Sequence, residues 1–187
     1  MKKFGLHALL LLITAFSGAY SQQPPDKING YKVYRAKIIV VSSDPPQQSL
    51  DARDATVKID KPKLGIPGML TVTVEVGGEF TSFTQEGKID LLQFRDISVN
   101  GIAVDVDDFK TPFEIKRGRL TRLPASVRGS IGITGVAKAA YKELTESKDL
   151  WNVTGTVLIF GRFKKLGIEF KRVVPIPLDL QMRNPLR

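Results

Sequence analysis

The chain has 187 residues, with 28 Lys and Arg against 19 Asp and Glu, a formal net charge of +9, no cysteine and one histidine. Without thiols there is no disulfide framework, so apolar burial and backbone hydrogen bonds must hold the fold. The one histidine, His7, falls in a leader-like start, so the remainder has no means of building a Ser-His-Asp triad, a Cys-His pair or a His- or thiolate-based zinc site.

Lys2 and Lys3, the apolar run Leu9 to Phe16 and the small residues around Ala19-Tyr20-Ser21 follow the charged, apolar, small order of a secretory signal peptide. The apolar stretch is shorter than the roughly 20 residues a bilayer span needs, and no cysteine follows to carry a lipid. The pattern predicts a leader over 1–21, a flexible stretch over 22–30 and a single domain over 31–187, periplasmic or extracellular after cleavage, with no transmembrane span.

From there most of the chain reads in period two. In "YKVYRAKIIVV" the row Tyr34, Ala36, Ile38 and Val40 alternates with Arg35 and Lys37, as in a half-buried strand. Further strands are predicted over 55–59, 70–76, 89–94, 97–99, 102–106, 113–115, 127–133, 153–163, 168–174 and 176–182. Turn residues separate them: Asp44-Pro45-Pro46, Gly65-Ile66-Pro67-Gly68, Gly77-Gly78, Asn100-Gly101, Gly118 and Gly167. Asn100-Gly101 is the strongest hairpin signal, because a type I′ turn needs positive φ at both central residues. In "TGVAKAAYKELTES" Val136, Ala140 and Leu144 recur at helical spacing beside Tyr141, with Thr134 as N-cap, which predicts one amphipathic helix over 135–146. Many strands with one late helix predict a mainly β fold, an antiparallel two-sheet sandwich of immunoglobulin-like type with the helix at an edge or end. Phe80, Phe83 and Gly87 repeat the spacing of Phe160, Phe163 and Gly167, a faint echo of two related hairpins.

Charge is polarised along the chain. Residues 22–108 hold 10 Lys and Arg against 13 Asp and Glu, whereas residues 109–187 hold 16 against 6. Such asymmetry suits an anionic partner, although a charged coat also serves solubility. The basic residues fall in two segments. "KRGRLTR" carries Lys116, Arg117, Arg119 and Arg122 on a loop. "FGRFKKLGIEFKR" carries Arg162, Lys164, Lys165, Lys171 and Arg172 around a hairpin tip near Lys165 to Gly167. Lysines there also guard strand edges against aggregation. These nine residues are the candidate polyanion site, and the sequence leaves open whether the two segments meet.

Other chemistries find less. Asp51, Asp54, Glu75 and Glu79 are the carboxylates from which a glycosidase pair would be drawn, yet aromatic sugar platforms are few. Asp105, Asp107 and Asp108 form the densest acidic cluster, without the glycine turn and following glutamate of a calcium loop. No glycine-rich phosphate cradle is present. Asn152-Val153-Thr154 fits a glycosylation acceptor but lies at the start of a strand.

The C-terminal half, "LPASVRGSIGITGVAKAAYKEL" followed by "WNVTGTVLIFGRFKKLGIEFKRVVPIPLDL" and Asn184-Pro185, resembles the water stress and hypersensitive response (WHy) domain of group 2 late-embryogenesis-abundant proteins. The matching features are Gly155, Gly161 and the run from Val174 to Leu178. The early Asn-Pro-Asn turn of that family is absent. The resemblance implies an antiparallel sandwich, a stress-linked role and no catalytic residues. We therefore expect a non-enzymatic, exported β-sandwich that acts as a binding or structural module in a cell envelope, needs no cofactor or metal, and meets an anionic envelope component or another envelope protein. Two alternatives stand beside it: a basic module for anionic lipid or acidic glycan in preference to nucleic acid, and a carboxylate-dependent glycan hydrolase.

Overall fold

The computed structural model describes residues 26–46, 54–65 and 71–185; the leader, Asp51 and most of the turn at 65–68 lie outside them. In chain order the elements are β1 (Lys27–Ile28), β2 (Tyr31–Val33), β3 (Ile38–Ser42), β4 (Ala55–Ile59), β5 (Lys63–Leu64), β6 (Thr71–Val76), β7 (Gly78–Ser82) and β8 (Glu86–Val99). Then follow β9 (Ile102–Ala103), β10 (Asp105–Val106), β11 (Phe113–Ile115), β12 (Leu120–Arg122), β13 (Val127–Gly132), α1 (Ile133–Glu146), β14 (Leu150–Lys165) and β15 (Ile168–Arg183). Among the described residues the fold is mainly β with one helix, as expected.

Three long strands organise it. β8, β14 and β15 lie side by side, and β2 with β1 and β11 extend this main sheet on either edge. β14 pairs β15 from Leu150↔Arg183 to Lys165↔Ile168, closed by Leu166-Gly167 at φ 53° and 78°. Asn100-Gly101, at φ 51° and 74°, turns β8 into β9 as predicted. Asn29-Gly30 forms a third such turn between β1 and β2, so residues 27–30 are ordered where a flexible stretch was expected.

β15 runs unbroken through Pro175 and Pro177, where the sequence suggested a break. Tyr34 N donates to Val173 O at 2.9 Å, so position 173 faces β2, and residues 175 and 177 share its orientation beyond the end of β2. There a missing N–H costs no ladder bond. The opposite error occurs at 31–41, read as one strand. β2 pairs with β15, whereas β3 pairs with β4, and residues 34–37 carry the chain from one sheet to the other. Both of these pairings are parallel, a departure from an all-antiparallel fold.

The remaining strands form two four-stranded sheets, β12-β7-β4-β3 and β10-β13-β6-β5. They are joined at one bend. Gly77 separates β6 from β7, Asp60 N donates to Gly77 O at 3.0 Å, and Leu123 N donates to Gly78 O at 2.9 Å. Three chain segments thus cross the bend together, and Gly77-Gly78 is a kink between strands where a turn was expected. β7 and β8 belong to different sheets, and Gly87 lies in a strand opposite Phe163 while Gly167 lies in a turn, so the two-hairpin echo has no structural counterpart.

The core lies between the main sheet and the first of these sheets. Ile89, Ile159, Val174 and Ile176 from one side meet Ala55 and Phe80 from the other, with Phe109 and Ile115 at the margin. On the outer face of the main sheet Phe160, 1% exposed, packs with Leu158 and Val173 under Ile28, Tyr31 and Val33 of the β1–β2 hairpin. Each such large side chain contributes about 1.5–3 kcal/mol on full burial.

The helix sits differently from its predicted pose. It begins at Ile133 behind Gly132, with no side-chain cap from Thr134. Its inward row is Gly135, Val136, Ala139, Lys142 and Glu143, all half-buried, while Tyr141 and Leu144 face out at 68% and 87% exposure. Gly135 permits close approach to Ile131 and Ile102. At the other end Lys142 Nζ donates to Asn100 O at 2.8 Å, and buried Asn184 Nδ2 donates to Glu143 Oε1 at 2.9 Å. These polar tethers and the glycine contact set the rotation, overriding the apolar row.

Candidate functional site

Cross-strand register brings the two basic segments together. Arg162 of β14 stands opposite Lys88 of β8, which stands opposite Glu114 of β11; one step along, Lys164 stands between Glu86 and Glu169. Against this edge lies the turn Lys116 to Arg119, closed by Arg119 N donating to Lys116 O at 3.2 Å with Gly118 at φ 68°. Gly118 N donates to Ser82 O at 2.7 Å, and Ser82, itself 2% exposed, is fixed by hydrogen bonds to Gln85 O at 2.6 Å and from Gln85 N at 3.1 Å. A rigid buried serine therefore anchors the basic turn.

The result is an open hollow of about 400 Å³, lined by Lys88, Lys116, Arg117, Arg119, Arg162 and Lys164, with Glu86, Glu114 and Glu169 between them. Among the described residues only Arg162 of these cations forms an ion pair. Its guanidinium holds Asp90 with two bonds, Nη2 to Oδ1 at 2.9 Å and Nε to Oδ2 at 3.2 Å. Tyr31 Oη donates to the same carboxylate at 3.3 Å and sets its ring edge-on to Phe160 at 5.2 Å. Burial first, and then the charge of Asp90 and the hydrogen bond to it, raise the Tyr31 phenol above its ordinary value, with Arg162 opposing. The hydrogen bond and charge of Asp90 hold the Arg162 guanidinium still more firmly protonated. Arg162 is thus a positioned charge, while the remaining five cations project into solvent with no carboxylate in ion-pair contact.

Five of the nine predicted residues meet here: Lys116, Arg117, Arg119, Arg162 and Lys164. Arg122 does not; β12 carries it away to Asp60 at 3.0 Å and Glu79 at 3.6 Å. Lys171 lies beside the hollow on the same face, its Nζ 6.0 Å from the Tyr31 ring centre. Arg172 points to the opposite face, over Phe170 at 5.2 Å, in a separate hollow of about 360 Å³ that also takes in Tyr34 and Phe163. The backbone of Lys165 closes the β14–β15 ladder against Ile168. Lys88 was missed by sequence reasoning because β8 begins three residues earlier than its apolar run; the alternation Glu86, Lys88, Asp90 was the available signal.

Of the four carboxylates considered for a hydrolase, Asp51 lies outside the described residues and the other three have structural partners. Asp54 accepts from Lys37 N at 2.7 Å and Thr84 Oγ1 at 3.4 Å, Glu75 pairs with Arg128 at 3.3 Å, and Glu79 is shared with Arg122. Asp105, Asp107 and Asp108 do not converge: Asp105 pairs with Ser130 across β10 and β13, and Asp108 accepts from Gln93 at 3.2 Å. Among the described residues no group of three or more such side chains is placed to hold a metal ion, and no helix is long and apolar enough to cross a membrane.

No protein-family model matches the chain, and no curated protein matches it. A crystal structure of a protein from Archaeoglobus fulgidus is similar in part, with 13% sequence identity, coverage of 70% of this chain and 97% of that one, and a TM-score of 0.38.

Proposed function

We propose that this protein is a non-enzymatic binding module whose basic hollow takes an acidic glycan. The observation that carries this reading is the meeting of two sequence-distant basic segments around one concavity, with cations and carboxylates interleaved. Cations attract sulfate or carboxylate groups of a sugar polymer, and Glu86, Glu114 and Glu169 offer acceptors for its hydroxyls. A flat phospholipid surface has anionic head groups but gives those glutamates fewer donors, and it does not follow a concave wall. Five exposed cations with no ion-pair partner can be engaged without breaking internal pairs. In the architecture we read a two-layer β-sandwich, the main sheet forming one layer and the bent pair of smaller sheets the other. The shared core of Ile89, Ile159 and Val174 against Ala55 and Phe80 supports that reading. An exported, stress-associated setting of the WHy kind is proposed from the sequence resemblance alone.

The test is binding to a sulfated polysaccharide across ionic strengths, beside vesicles of phosphatidylglycerol. Glycan binding should weaken steeply as salt rises, and the triple reversal Lys116→Glu, Arg119→Glu, Lys164→Glu should reduce low-salt affinity by about tenfold or more with the thermal midpoint retained. Affinity indifferent to salt and to these substitutions would overturn the proposal; tighter binding to vesicles than to glycan would transfer it to membrane lipid.

A further inference from the structure

A second site lies at the other end of β14. The sheet β10-β13-β6-β5 is amphipathic by register: Leu64, Val74 and Gly129 align on one face, as do Val72 with Ile131 and Val76 with Val127. The other face carries Lys63, Glu75 and Arg128, the last two paired at 3.3 Å. Two β layers in direct contact bury their facing side chains at about 10 Å separation. Here no apolar side chain of these four strands is buried; Gly129 alone is. Val127 packs against the main core, and the rest of this apolar face is only half covered.

The space left is a cleft of about 720 Å³, within the range of roughly 300–1,000 Å³ that small-molecule sites occupy. One wall is the valine face of β6 and β13, the opposite wall is Ile97, Val99 and Val153 of the main sheet, and Val136 and Ala139 of α1 form the roof. Among the described residues, Trp151 is the one aromatic side chain lining it. Polar groups gather at one end, where Lys142, Glu143, Glu146 and Lys148 meet Asn100 and Asn152. The long body of the cleft is mainly branched aliphatic surface, and the Ser98 and Thr154 hydroxyls that also line it are hydrogen-bonded to each other at 2.9 Å. Such walls exclude water and accept apolar guests, but a heteroaromatic or sugar ligand would leave its own polar atoms unpaired. A flexible hydrocarbon tail leaves none. The polar end holds two ammonium and two carboxylate groups, which suits a neutral or zwitterionic head.

We propose that this cleft binds the acyl chain of a single-chain amphiphile, tail between β6, β13 and the main sheet, head at the C-terminal end of α1. The proposal is independent of the glycan reading. Trp151 is the only tryptophan of the chain and lines the cleft, so its emission reports occupancy. The full chain is titrated with dibromostearic acid, whose bromines quench tryptophan on contact, below the concentration at which the probe forms micelles. Saturable quenching at one equivalent is expected, reversed by unlabelled palmitate or by lysophosphatidylcholine; the stronger competitor identifies the head group. Filling the cleft with Val74→Phe and Ile131→Phe should weaken binding by about tenfold or more. If that double variant fails to fold by circular dichroism, Val136→Phe in the half-buried face of α1 serves instead. Absence of saturable quenching, no competition by either amphiphile, or unchanged binding in a folded, filled variant would overturn the proposal. Sedimentation showing a dimer whose dissociation the filled variant promotes would also overturn it, giving the cleft to a second copy.

Discussion

Leu166 shows how a single residue can be legible in position and misfitted in type. It occupies the first central position of the β14–β15 turn at φ 53°, and its side chain is 93% exposed. A left-handed backbone costs an L-residue with a branched side chain about 1–2 kcal/mol, and asparagine less. The other two turns of this kind, at Asn29-Gly30 and Asn100-Gly101, already use asparagine there. Leu166→Asn should therefore raise stability by about 1 kcal/mol in a urea melt, and a loss would mean that Leu166 makes contacts worth more than its strain. Positive φ was readable from Asn-Gly and from Gly167. That a leucine would share it was not, because only the pairing of Lys165 with Ile168 forces a two-residue loop.

At the scale of elements, α1 is the clearest case of tertiary override. Helical spacing correctly located it, within two residues at its start and at the right end. The face was assigned from Val136, Ala140 and Leu144, yet the inward side includes Lys142 and Glu143, held by Asn100 and Asn184. Leu144→Ser should accordingly change stability by no more than about 0.5 kcal/mol, as for a surface site; a loss of several times that in thermal unfolding would restore the predicted face. Strands were found where alternation was strong, at β4, β6, β11 and β13. The missed ones, β1, β5, β7 and β12, are short or hold glycine, lysine and arginine, and they exist because a partner strand lies beside them. β-structure is made by neighbours more than by intrinsic preference.

Across the whole molecule, β14 connects the two proposed sites. Arg162 at the basic hollow and Trp151 at the cleft are separated by on the order of 35 Å of extended strand. Charges so far apart are screened at physiological salt, where the Debye length is about 8 Å. The triple charge reversal at the hollow should thus leave dibromostearic acid binding within about twofold of the unmodified protein, measured by the same Trp151 quenching. A tenfold change would reveal coupling through the strand. Of the candidate site, both basic segments were legible as composition. Their meeting was not, since Lys116 and Arg162 are joined only by the register of β11, β8 and β14.

What the sequence determined alone is what depends on residue type and near neighbours: mainly β character from alternation, the Asn100-Gly101 turn from its tolerance of positive φ, the helix from its period, and the want of imidazole and thiol chemistry after His7. What only the tertiary structure decided depends on which strands become partners. The kink at Gly77, the split of residues 31–42 between sheets, the passage of β15 through two prolines and the unfilled space under α1 are all consequences of long-range pairing. Local patterns record which face of a segment is apolar, but not how far away the surface it meets will stand.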